Sequence, residues 1–96
     1  MTCFEVTINK KLVCTAGVND VGMLLALVEL AKRKPQSKGQ RNRDYIKLRV
    51  GGSEANDGRI EQLDWLNRRI KVGDEIKIRV VEASRSDKPK SRESLK

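Results

Sequence analysis

The chain has 96 residues, and 21 Lys and Arg against 13 Asp and Glu give it a formal net charge of +8. That length suits one small domain and leaves no room for a deep cleft between lobes; with no His and only two Cys, the usual zinc site of four Cys and His ligands is not expected either. Hydrophobic residues make up 38% of the chain and fall in regular runs, which argues against wholesale disorder, while the cationic excess favours acidic partners.

The opening Met-Thr-Cys-Phe-Glu has no basic stretch ahead of an apolar one, so it does not read as a signal peptide. No apolar run approaches the roughly 20 residues needed to span a bilayer. A cytoplasmic protein without membrane insertion is expected, with Cys3 and Cys14 as reduced, half-buried thiols. Whether those two share a face depends on the turn between their strands.

Residues 4–8 alternate apolar and polar and are rich in β-branched side chains, the pattern of a half-buried strand. Asn9-Lys10 offers a tight turn, and residues 12–16 supply the returning strand of a hairpin that Gly17 ends. Asn19 and Asp20 offer capping oxygens, and Val21, Leu24, Leu25, Val28 and Ala31 then recur at helical spacing. The spacing predicts a helix over 20–33, stopped by Pro35 and broad enough in its apolar stripe to lie across a sheet. Residues 35–43 read as an exposed loop.

Ile46, Leu48 and Val50 alternate with Tyr45, Lys47 and Arg49 in a second strand region that Gly51-Gly52 is expected to break. A polar turn closes at Asp57-Gly58. Ile60, Leu63, Leu66 and Ile70 then suggest a short helix, with Trp65 as a core plug at its flank. Lys71 to Asp74 makes a tight turn into a last strand over 75–81, where Ile76, Ile78 and Val80 face away from Glu75, Lys77 and Arg79. From Ser84 onward the chain is polar and unpatterned, and the expectation is a folded unit over 1–83 with a disordered basic tail over 84–96. That tail holds five cations and two anions, so part of the excess charge belongs to the folded unit.

Strand, strand, long helix, strand, short helix, strand is an order that resembles the β-grasp arrangement of ubiquitin-like proteins. The segment Lys71-Val72-Gly73-Asp74-Glu75-Ile76-Lys77-Ile78 is similar to the Gly-Asp turn and last strand of their sulfur-carrier branch. The resemblance implies an α+β fold, a hairpin and a long helix packed on a mixed four-stranded sheet, with strands 45–50 and 75–81 as neighbours. The family's carrier chemistry needs a terminal Gly-Gly. This chain ends Glu93-Ser94-Leu95-Lys96 and has its Gly-Gly at 51–52, so that chemistry is not carried over.

Catalytic signals are weak. Without His, general acid–base work falls to carboxylates, thiols or lysines. Asp64 and Asp74 are explained by a helix surface and a turn, and Cys14 lacks a base to deprotonate it. Gly51-Gly52 belongs to no phosphate-cradling motif. No enzyme, cofactor or metal is therefore expected. The basic residues stand above this background. Lys32, Arg33, Lys34, Lys38, Arg41 and Arg43 put six cations and no acid into twelve residues, and neighbouring strands would gather Lys47, Arg49, Lys77 and Arg79 on one sheet face. Two readings fit that face. It engages an acidic protein surface or nucleic-acid phosphates, or it is a solvated surface balanced by Glu5 and Glu75. The scarcity of aromatics counts against base stacking on a single strand. A further possibility is a protein–protein adaptor that adds a strand at an open sheet edge, with residues 12–16 as the candidate.

Overall fold

The computed structural model describes residues 1–19, 21–32 and 44–94. Among these residues seven strands follow in chain order: β1 Thr2–Ile8, β2 Lys11–Gly17, β3 Gly22–Ala31, β4 Tyr45–Asn56, β5 Arg59–Ile70, β6 Ile76–Glu82 and β7 Ser91–Ser94. They form two antiparallel sheets, β2-β1-β6 and β3-β4-β5-β7. Among the described residues there is no helix, so the α+β, β-grasp-like arrangement with a long helix is not adopted.

The first hairpin forms as its residues predict. Asn9 and Lys10 both take positive φ, 52° and 69°, in the two-residue turn that suits the twist of paired strands. Asp57 and Gly58 repeat the device between β4 and β5, with φ of 51° and 75°. The expected helix over 20–33 is instead the extended strand β3. Its run Gly-Met-Leu-Leu-Ala-Leu-Val-Glu-Leu-Ala is apolar at nearly every position, so it satisfies a two-residue period as well as a helical one. Pairing with β4 over its whole length decides between them.

The expected helix over 60–70 is β5, and a bulge accounts for the misreading. Val50 lies opposite Leu66 and Gly51 opposite Asp64, so Trp65 is an extra residue in β5. The insertion turns both Leu63 and Leu66 inward at a spacing of three, which mimics a helical turn. It also buries Trp65, which is 3% exposed. Gly51 and Gly52 do not end a strand but lie inside β4, because their neighbours come too close for a side chain. A Cβ on Gly52 would overlap the Met23 carbonyl oxygen, and one on Gly51 would stand 2.9 Å from that of Leu63.

The sheets meet through one apolar core. Val6, Ile8, Cys14 and Ala16 pack from one side and Leu48, Val50, Leu63, Trp65 and Leu66 from the other. Each fully buried aliphatic side chain among them contributes about 1.5–3 kcal/mol relative to exposure. The coverage is partial. Val28 and Leu30 share the core-facing side of β3 with Leu24 and Ala26, and Ile78 and Val80 share that side of β6 with Ile76, yet all four are exposed. Cys14 lies opposite Val6 and joins the core, whereas Cys3 falls on the opposite face of β1, so the two free thiols point to different sides of the hairpin.

The expected disordered tail is built into the fold as far as Ser94. Asp87 accepts a 2.8 Å hydrogen bond from the Thr15 N–H through Oδ2 and another from the Trp65 indole N–H through its carbonyl. Its own N–H donates to the Thr15 carbonyl. A single residue thus ties the edge of one sheet to the core tryptophan of the other. Beyond it, β7 pairs with β5 over Glu61–Asp64. The tail's charges, read as a solvated coil, act here as partners for groups on both sheets.

Candidate functional site

Of the ten cations singled out in the sequence, the four that lie on strands do not share one sheet. Lys32 is exposed just past the end of β3, and Arg33, Lys34, Lys38, Arg41 and Arg43 lie outside the described residues. Strands 45–50 and 75–81 are not neighbours, since β4 lies between β3 and β5 while β6 pairs only with β1. Lys47 and Arg49 are therefore on one sheet and Lys77 and Arg79 on the other.

Three of these four sheet cations face carboxylates. The Lys47 ammonium is 3.8 Å from Glu29, Arg49 Nη2 is 3.3 Å from Asp64, and Arg79 Nη1 is 3.5 Å from Glu5. These are cross-strand pairs of half-exposed groups and are worth little individually. Their effect is to neutralise the field an acidic partner would feel. Glu29 also accepts from the Tyr45 hydroxyl at 2.9 Å, and the Tyr45 ring lies under Lys47 and Arg69, whose charged heads are 5.4 and 5.5 Å from its centroid. On the outer face of β1 and β6, Lys10, Lys77 and Arg79 share a shallow depression with Glu5 and Glu75. That mixture is what a solvated face looks like.

No constellation for acid–base catalysis is assembled from the candidate acids. Asp74 serves its turn, accepting from Asn9 Nδ2 at 3.0 Å and the Lys71 N–H at 2.9 Å, and these bonds hold its carboxyl below the usual range. The Cys14 thiol is pushed up by burial and then by the Asp87 carboxylate, with Lys90 opposing, which favours its protonated form. Among the described residues no group of three or more Cys, Asp or Glu is placed to hold a metal ion. No helix among them is long and apolar enough to cross a membrane.

What the sheets do present is edges, and among the described residues four strands supply them: β2, β6, β3 and β7. Edge strands carry unpaired backbone groups, and folds usually guard them with charge, brevity or a covering segment. On β2, the candidate edge at 12–16, Thr15 has both its N–H and its carbonyl engaged by Asp87. On β6, Lys77, Arg79 and Glu82 punctuate seven residues. Strand β7 is four residues long.

Among the described residues, strand β3 has none of these guards. It runs for ten residues with one charge, Glu29, and that carboxylate is already held by Tyr45 and Lys47. The Ala55 N–H donates to the Val21 carbonyl at 2.9 Å, which fixes the phase of the β3–β4 ladder. Odd-numbered residues bond to β4, and the N–H and carbonyl groups of Leu24, Ala26, Val28 and Leu30 point away from it. Beside this edge, Met23, Leu25 and Leu27 stand exposed on the outer face, lining a shallow groove of about 360 Å³ over Gly51, Ser53 and Gln62. The bare backbone of Gly51 forms the floor. The sequence signal for this site was present in ten residues without a Lys, Arg or Pro, but reading them as a helix hid the edge.

Compared with known protein families, with curated proteins and with solved structures, the chain matches none.

Proposed function

We propose that the chain is a non-enzymatic protein-interaction module that takes up an added strand along β3. One observation carries this reading: among the described residues, β3 is a ten-residue apolar edge without a guarding charge, beside three other edges that are capped, charged or short. Main-chain groups of Leu24, Ala26, Val28 and Leu30 would supply affinity. Exposed side chains on both faces would supply selectivity for apolar, β-branched segments. The test is to pan a displayed peptide library against the protein. Extended apolar peptides should be enriched, their binding lost in Ala26→Pro and unchanged by charge reversal at Lys47. Ala26→Pro removes an outward N–H and leaves the β3–β4 ladder intact, a position where an edge strand tolerates proline. Peptides whose binding follows the charge reversal and ignores Ala26→Pro would overturn the proposal.

The net charge of +8 supports a second reading, engagement of an acidic protein surface or nucleic-acid phosphates. Lys77 has no carboxylate within ion-pair distance among the described residues, and Lys32 leads into the basic stretch 33–43. Binding to duplex DNA, RNA and acidic polypeptides, followed as salt is raised, tests it; no binding at low salt excludes it.

A further inference from the structure

Resting on the β3 edge as a docking strand, we propose that its occupant is a second copy of this chain, the two β3 strands pairing antiparallel about a twofold axis to make one continuous eight-stranded sheet.

The first argument is geometric. A twofold axis normal to the sheet keeps each face on its own side, so odd residues must meet odd residues and even residues must meet even ones. The outward-facing main-chain groups belong to the even residues. They therefore meet each other in hydrogen-bonded pairs, as an antiparallel ladder requires. With Ala26 on the axis, residues 22–30 are all paired. Leu24 then faces Val28 of the second copy, and Leu25 faces its Leu27, so apolar side chains meet on both faces. Glu29 lies opposite Met23 rather than another Glu29, which avoids a like-charge pair across the junction.

The second argument is the apolar surface of the strand itself, which is open on both faces: Met23 is 59% exposed and Leu27 46% on the outer face, and Val28 53% and Leu30 60% on the other. A second copy is matched to these residues because it offers the same ones.

Charge makes the proposal distinguishable from an acidic partner. Two copies at +8 repel each other, and salt screens that repulsion. The dimer should therefore tighten as salt rises, where binding to an acidic partner weakens.

The experiment is sedimentation equilibrium of the full chain across the micromolar range at low and high salt, with hydrogen exchange on the same samples. A monomer–dimer equilibrium that tightens with salt is expected, with the Leu24, Ala26, Val28 and Leu30 amides gaining protection as concentration rises. Ala26→Pro should weaken the dimer about tenfold or more while the buried Trp65 emission stays unchanged. If that variant fails to fold, Leu27→Lys, on the exposed outer face, should have the same effect. A chain that stays monomeric throughout overturns the second copy, as does a dimer indifferent to Ala26→Pro and Leu27→Lys. If peptides from the panned library still bind a monomeric chain in an Ala26-dependent way, the docking edge stands and only its occupant is wrong. If they do not, both fall together.

Discussion

Glu54 is the one buried charged side chain among the described residues, and its surroundings show what holds it there. It sits directly across from Glu61 on the paired strand, a like-charge juxtaposition that costs stability on its own. Arg92 Nη1 resolves the conflict, standing 2.9 Å from Glu54 and 2.7 Å from Glu61, while the Asn19 N–H reaches the second Glu54 oxygen at 3.0 Å. Burial alone would raise the Glu54 pKa. The Asn19 and Arg92 hydrogen bonds and the guanidinium charge outweigh it and hold the carboxyl below its ordinary value. Its stabilising contribution is therefore complete above that ordinary value, near 4.5, and is lost as pH falls through the depressed one. Arg92→Ala should lower stability by about 2–3 kcal/mol at neutral pH, less than for a fully buried pair because the guanidinium is half-exposed. Denaturant unfolding should show the difference from the wild type shrinking as pH falls below about 4.5 and through the depressed value of Glu54.

The strands β3 and β4 depend on each other through Gly52. A methyl group there meets the Met23 carbonyl, which is backbone and cannot swing aside. Gly52→Ala should therefore destabilise the protein by about 3 kcal/mol or more in chemical denaturation, and β3 amides should lose hydrogen-exchange protection before those of β1. The same strands show what was legible in the sequence. The hairpin β1–β2, the strand over 45–50 and the strand over 75–81 alternate cleanly because each has one apolar and one polar face. Strand β3 has no such contrast, so its period was ambiguous and only pairing resolves it. In β5 the contrast exists, but the Trp65 bulge shifts its phase midway. Gly51-Gly52 were legible as a place where side chains are missing. They were not legible as close approaches, because the crowding comes from Met23 and Leu63, which are distant in sequence. The basic residues were all visible, yet their grouping depended on which strands are neighbours, and a pattern along one chain does not carry that information. For the same reason the edge position of β3 is not legible along the chain.

At the scale of the molecule, the two sheets cover each other only in part, and the C-terminal segment adds to their joining. Asp87 spans Thr15 and Trp65, the Lys90 N–H donates to the Asp64 carbonyl at 2.7 Å, and Arg92 closes over the two glutamates. A chain ending after Ala83 loses all of these at once. It should be less stable than Arg92→Ala alone, and its single tryptophan should emit at longer wavelength because the indole loses its carbonyl partner and its cover. Fluorescence-monitored unfolding of the shortened chain checks both. A truncated chain as stable as the full one would reduce the segment to an ornament on the surface.

The pairing of β1 with β6 has a consequence in time. Thr2 is joined to Glu82 and Ile8 to Ile76, so the first strand made waits for nearly the last before its sheet is complete. Contacts so distant along the chain form slowly, since the loop they close must be ordered first. During synthesis on the ribosome, the greasy strand 22–31 emerges before its partner 45–56. A nascent chain of this kind is exposed to misassociation with its neighbours, and slower translation beyond residue 31 would prolong the interval.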